Sequence, residues 1–500
     1  MKKNVLALSI AALIGSLGFA GAASAGVAFN DGADATALEV SANGVGHILL
    51  VPYFSTQNGN VSLLNITNTD TVNGKIVKLR YRGAANSDDI YDITLLLSPG
   101  DMWSANVSQK NGISTLVTND NSCTLPASVN SDFSALRVLK QDPAQTLEGY
   151  IEILNMADIT PSTSDLYKTT KHKNGVAACD AAVLQTLKTD FVDAAAARAF
   201  GATNPTGGLM ANWSIINLSK AGSFTGEATA IAAVVTPGVP GKGYIVTSPQ
   251  EEDAVISQTM AEDLTADPLL VGATPKVQPK NYDFPDLSTP YVIGSTDPID
   301  QAEALADALA TTSVTNEYMT SPDVSFATDW TFSMPSRRYN VAVDYTATPS
   351  AAIYATGGTY FTTANTTMVG DQLCVRSKST DLAYFNTEEG EKSPGGFVIS
   401  PQPAGAALAF CGEASVLTFN VANFDAATTP SSVLGAMIAR QNLRTMKNAT
   451  EFYTDGWMAL QTPGNSGIGL PVIGHAFAKA LGTSASLGGI WKHRTNLVNP

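Results

Sequence analysis

Three acidic runs hold most of the chemistry this chain could perform. Asp88, Asp89 and Asp92 stand together before an apolar stretch, Glu251, Glu252 and Asp253 form a second run, and Glu388, Glu389 and Glu391 a third. Two carboxyls facing one sugar ring would make a glycosidase, but acids adjacent in sequence more often mark a solvated face. Hard cations take carboxylate and carbonyl oxygens from loops, so Ca2+ suits them better, with Asp88, Asp89 and Asp92 as the candidate ligands. No D-x-D-x-D-G loop and no Gly-Asp nonapeptide repeat reinforces that reading, and no other cofactor is expected.

Bases and nucleophiles are scarce. The histidines are His47, His172, His475 and His493. His47 adjoins the apolar Ile48 to Val51 run and His475 lies within Val472 to Phe477, so both read as strand residues satisfied by backbone. His172, between Lys171 and Lys173, reads as a solvated loop residue. The chain has no H-E-x-x-H, no G-x-S-x-G, no Walker loop and no dinucleotide fingerprint. Pro463 to Gly467 comes nearest to a nucleophile elbow and reads more simply as a turn. No catalytic residue is assigned. Trp103, Trp213, Trp330, Trp457 and Trp491 raise the question of sugar stacking, but their strand-like contexts favour core packing.

The elements that would position such residues begin with a leader. Lys2 and Lys3 precede an apolar run from Val5 to about Leu17, and Ala23, Ser24 and Ala25 give a cleavage pattern before Gly26, so residues 1–25 are expected to be a signal peptide. The expected location is extracytoplasmic: secreted or on the outer cell surface, with the periplasm as the alternative. Disulfides are then the default for Cys123, Cys179, Cys374 and Cys411. Three pairings are possible. Cys123 with Cys179 and Cys374 with Cys411 are expected, since sequence neighbours usually share a lobe and each bridge would add ~3 to 4 kcal/mol.

The formal charge is −15, and it becomes −17 once the two leader lysines are removed. Such a balance repels nucleic acid and anionic lipid. Charged residues are only 15% of the chain against 44% hydrophobic, which describes a globular protein with a Ser-, Thr-, Asn- and Gly-rich surface rather than a polyelectrolyte tail. No second apolar stretch is long enough to span a bilayer as a helix.

The mature chain reads as β. Val77, Leu79 and Tyr81 alternate with Lys78, Arg80 and Arg82, the period of a strand with one buried and one wet face. Ile48 to Phe54, Val61 to Thr67, Ile93 to Leu97, Glu148 to Leu154 and Trp213 to Leu218 are further strands, as are Trp330 to Met334, Tyr339 to Tyr345 and Leu417 to Val421. Turns at Asn58-Gly59, Asn73-Gly74 and Pro99-Gly100 divide them. The expected fold is mainly β: antiparallel, immunoglobulin-like β-sandwich lobes with a few inserted helices. An N-terminal lobe covers 26–245 with a helical insert near 180–201, where Asp180 can cap the start, Leu184, Leu187, Phe191 and Ala195 share a face, and Gly201 offers a stop. A Pro/Gly-rich connection covers 246–295, and a C-terminal lobe 296–500. Asp297-Pro298 opens a second helix carrying Ile299, Ala302, Ala306 and Leu309 inward.

Several stretches together resemble a family of exported proteobacterial proteins described as cell surface proteins. They are Val51-Pro52-Tyr53-Phe54, Val77 to Arg82, Leu97 to Trp103, Gly149 to Glu152, Asp283 to Tyr291, Gly469 to His475 and Gly488 to Arg494. The resemblance implies export and a surface role; it brings no reaction and no catalytic residue. Ala383 to Glu389 departs from the more highly charged run such a family would carry there. The expected function is a structural or interaction protein of the bacterial cell surface, with a surface-layer-like or matrix assembly as its sharper form and itself or other surface components as partners. A secreted glycan- or protein-binding module is the alternative, and an extracellular hydrolase the third reading.

Overall fold

The computed structural model describes residues 26–28, 32–247 apart from 192 and 221, 291–376 apart from 296, 382–388, 391–392, 399–400, 409–481 apart from 449, and 486–498. The leader and nearly all of the 246–295 connection lie outside them. The described chain is mainly β, in several antiparallel sheets, none of them closed.

The first half supplies the principal strands β1 (Ile48–Ser55), β2 (Val61–Asn68), β3 (Gly74–Gly83), β4 (Asp89–Leu97), β5 (Met102–Lys110), β6 (Ile113–Val117), β7 (Cys123–Leu125), β8 (Glu148–Ile159), β9 (Leu209–Asn217), β10 (Gly222–Glu227) and β11 (Thr229–Thr236). A nine-stranded sheet runs from Val239–Pro240 through β11, β1, β8, β3 and β4 to β7; a five-stranded sheet has the order β10, β9, β2, β5, β6. Alternation builds a common core between them. Val51, Leu79, Ile93 and Ile153 from the larger sheet and Leu64, Ile66, Trp103 and Trp213 from the smaller one belong to a single buried cluster. Because the side-chain period is two, a one-residue slip would turn this whole set outward, so the core fixes the register.

The expected wet face of β3 is not wet. Lys78, Arg80 and Arg82 are at most 1% exposed. Helices cover both ends of this second face of the larger sheet. Over Ile76 and Leu96 lie α1 (Asp165–Thr170), α2 (Ala181–Asp190) and α3 (Ala194–Phe200); over Ile48, Leu50 and Leu154 lies α4 (Pro298–Leu309). Charge is buried between them only in paired form. Asp92 meets Lys78 at 2.7 Å and Arg80 at 3.0 Å, and Arg82 reaches Glu152 at 3.0 Å and Asp89 at 3.4 Å. Further along, Lys75 meets Asp158 at 2.8 Å.

The helix predicted over 180–201 is two helices. Asp180 caps α2 through the amides of Ala182 and Val183, but Asp193 accepts from the Ala196 amide and starts α3 afresh. A second N-cap within an apolar run outweighs its periodicity. Gly201, in the left-handed region at φ 105°, ends α3 as expected. Asp297 caps α4 with Pro298 in its first turn, also as expected.

In the second half, β12 (Ala310–Met319), β14 (Leu382–Asn386) and β17 (Asp455–Gln461) pair in one sheet. In another, β13 (Phe326–Ser333) lies between β15 (Ala414–Phe419) and β18 (His475–Leu481); β16 (Arg440–Leu443) and β19 (Ser486–Lys492) flank them. The antiparallel rule has an exception here, since β15 and β16 run parallel. The two halves share one core: Ala414, Val416, Leu434, Ala436 and Phe477 lie in the same cluster as Leu64 and Trp103. Polar contacts cross as well. The Glu413 amide donates to the Ala84 carbonyl at 2.8 Å, and Arg337, paired with Glu413 at 2.6 Å, donates to the Ala85 carbonyl.

Both disulfides form with the expected partners, Cys123 with Cys179 across 56 positions and Cys374 with Cys411 across 37. Two such bridges fit a non-reducing, extracytoplasmic environment. Among the described residues, no helix is long and apolar enough to cross a membrane.

Candidate functional site

The outer face of the five-stranded sheet carries an open groove of about 680 Å³. Its floor is set by the same alternation that builds the core. With Leu64, Trp103, Ala105 and Trp213 buried inward, their neighbours Leu63, Asn65, Ser104 and Ser214 must face out. Register places Asn212, Asn65 and Ser104 in one row across three strands, and Ser214, Leu63, Asn106 and Val117 in the next across four.

Two loops wall the groove. The first follows β6: the Thr118 hydroxyl donates to the Ser104 carbonyl at 2.7 Å, the Thr118 amide to Asn130 Oδ1 at 2.7 Å, and the Ser122 amide to Asp120 Oδ1 at 2.8 Å. The second is the turn holding His172 and Gly175. The Cys123–Cys179 bridge ties the two together, a few residues beyond each wall. The Ala177 amide adds a 3.4 Å hydrogen bond to the Asn121 carbonyl.

His172 is not the solvated loop residue expected of it. Its Nδ1 lies 3.1 Å from Ser98 Oγ and 3.4 Å from Asp101 Oδ2. The three residue types are those of a hydrolytic triad, but the wiring differs. In a triad the serine and the acid sit on opposite ring nitrogens, and here both meet the same one. The trio fixes the ring rather than arming a nucleophile. Asp101 is further occupied, accepting at Oδ2 from the Ser98 amide (3.1 Å) and the Ser122 hydroxyl (3.3 Å) and at Oδ1 from the Met102 amide (2.9 Å).

The other histidines are structural. His47 Nδ1 accepts from the Ala233 amide at 3.1 Å and Nε2 donates to the Gly241 carbonyl at 3.2 Å, the backbone satisfaction expected. Burial and the nearby Lys75 lower its pKa to about 4. His493 Nε2 donates to the Thr331 carbonyl at 2.9 Å between Trp330 and Phe332, and burial lowers it to about 3. His475 packs edge-on to Trp213, its Nδ1 without a partner among the described residues, and burial takes it to about 4.

The calcium reading of Asp88, Asp89 and Asp92 meets a different arrangement. All three are buried. Asp88 Oδ1 accepts from the Tyr345 hydroxyl at 2.7 Å, while Asp89 and Asp92 face the β3 cations. Asp89 and Asp92 thus have cationic partners from the protein itself, and Asp88 a tyrosine hydroxyl. Among the described residues, no three His, Cys, Asp or Glu side chains are grouped to hold a metal ion. Glu388 is exposed in a turn, whereas Glu251, Glu252, Asp253 and Glu389 lie outside the described residues.

Of the tryptophans, Trp103, Trp213 and Trp330 are core residues, as expected. Trp457 and Trp491 are not: they are 41% and 38% exposed, and Trp457 stacks on Phe385 at 4.2 Å. No family model matches the chain, and neither a curated protein nor a solved structure matches it. The groove residues were missed by sequence reasoning. The signal that could have found them is the out-facing series Asn65, Thr67 and Ser104, Asn106, Ser108, each polar but uncharged and interleaved with apolar neighbours.

Proposed function

We propose that this chain is an exported interaction protein of the bacterial cell surface that holds its partner non-covalently in the groove of the five-stranded sheet. The observation that carries the reading is the groove itself: an uncharged polar floor whose orientation the core dictates, with walls stapled by a disulfide. The leader pattern, the two bridges and the resemblance to exported cell surface proteins support the location. The two sheets of the first half over one core support its reading as an immunoglobulin-like sandwich. Fractionation of cells expressing the full chain, followed by protease treatment of intact cells, tests the location. Digestion from outside is expected; a cytoplasmic protein with reduced cysteines would overturn the proposal.

One observation favours lateral assembly as a second reading. Strand β19 ends its sheet and carries Leu487, 77% exposed, and Trp491. The strand lies against β10, but the outward Leu487 offers a second copy an apolar contact. Light scattering over a concentration series is expected to show association that Leu487→Lys weakens, and a monomer throughout would remove this reading.

A further inference from the structure

The ligand class can be read from what the groove offers and what it withholds. Its lining contains no lysine or arginine, and its one histidine, His172, already stands beside Asp101 while Asp120 adds a second carboxylate, so the lining has no net positive charge to compensate a phosphate, sulfate or carboxylate. It contains two carboxylates, Asp101 and Asp120, but these accept from Ser98, Met102 and Ser122 within the protein and serve the walls. Of these four carboxylate oxygens Asp120 Oδ2 alone has no hydrogen bond from the described residues, a single oxygen against the several uncharged groups beside it.

Uncharged capacity is what remains. The side chains of Asn65, Ser104, Asn119 and Asn121 make no hydrogen bond to the described protein. Each amide presents two donors and an acceptor, and the hydroxyl presents both roles. Groups that donate and accept side by side match ligands whose own groups do the same, and hydroxyls are such groups. Leu63 and Val117 share one row with Asn106, and Met102, 53% exposed, lies beyond the Asn65 and Ser104 row, so apolar positions are interspersed among the polar ones across the floor. A pyranose ring is amphipathic in the same sense, with C–H faces and a hydroxyl rim. The volume of about 680 Å³ lies within the ~300–1,000 Å³ of small-ligand sites.

From this juxtaposition we infer that the groove binds an uncharged, hydroxyl-rich glycan, whose hydroxyls bond Asn65, Ser104, Asn119 and Asn121 while the faces of different sugar rings lie on Met102 and on Leu63. This rests on the interaction-protein reading above and names its ligand. The lining has no aromatic platform, so the affinity is weak, on the order of millimolar.

Saturation-transfer NMR and calorimetric titration of the full chain test the inference. The probes are maltotetraose, cellotetraose and chitotetraose as neutral arms, a heparin tetrasaccharide as the anionic arm, and a mixed peptide library. At least one neutral arm is expected to bind, with Asn65→Ala and Asn119→Ala each weakening it about five- to tenfold at unchanged thermal midpoint. Three outcomes would overturn the inference: binding of the anionic or peptide arm alone, neutral binding indifferent to both substitutions, or no neutral binding at 10-millimolar-scale ligand. A surface-located protein that fails with every glycan loses only the ligand class. A cytoplasmic one loses the reading beneath it.

Discussion

Two alternating surfaces of this protein have opposite fates. On β3 the polar positions are Lys78, Arg80 and Arg82, and they are buried; on β2 and β5 they are Asn65, Ser104 and Asn106, and they stay open to solvent. Charge is usually taken to mark the outside, yet here the charged face is the inner one. The difference lies in partners. Asp92, Asp89 and Glu152 stand opposite the cations of β3, so that face can be covered at a cost the pairing offsets. An amide row with no such complement stays outside and remains available to something else.

Removing one partner on the buried side is the most damaging change expected. Asp92→Ala takes a carboxylate from both Lys78 and Arg80 and is expected to cost about 3–5 kcal/mol in urea unfolding. The outward Asn65→Ala should stay within about 0.5 kcal/mol. Equal effects would erase the distinction between the two faces. Opening the Cys123–Cys179 bridge by a paired Cys→Ser change should cost about 2–4 kcal/mol. It should also loosen the groove walls, seen as faster amide exchange at 118–121 than in the parent.

Acid acts on the buried groups as well. The native state keeps His475 neutral down to about pH 4, while the unfolded chain takes up the proton near 6.5. Between those values the unfolded state binds more protons, so stability rises with pH, is complete above about 6.5 and falls by about 3 kcal/mol as pH drops to 4. His47 acts in the same sense. Glu148 and Asp329, pushed up by burial, act in the opposite one. His475→Phe isolates the histidine contribution: near-neutral at pH 7, with a flatter decline of thermal midpoint between pH 6.5 and 4. An unchanged slope would place the acid sensitivity elsewhere. The smallest effect expected is that of Lys168→Ala, whose exposed pair with Asp165 at 3.0 Å should leave the midpoint within error.

Much of the fold was legible. Apolar runs between turn signals placed β1 and β2, and the period-two pattern placed β3, each within one or two residues of its ends; β8 starts where expected but runs on to Ile159; and Asp180, Asp297 and Gly201 marked helix boundaries correctly. What the pattern could not supply was the environment of each face. Alternation says that Lys78 and Val77 point apart, not that α4 and the Arg337–Tyr339 turn will lie on the Lys78 side. The bridges were legible from sequence proximity. The groove was not, because neither Asn65 nor Asn119 carries a motif; strand register and a distant cysteine bring them to one surface. His172 likewise gave no hint of Asp101, which is 71 positions away and reached only through the fold.

The core common to both halves also orders events in time. A chain emerging N-terminus first has Trp103 and Trp213 in hand early, but Phe477, which packs on Trp213 and Phe224, arrives last. Glu148 likewise waits for the Met437 and Ile438 amides. The shared cluster is therefore complete only once the C-terminal strands are present.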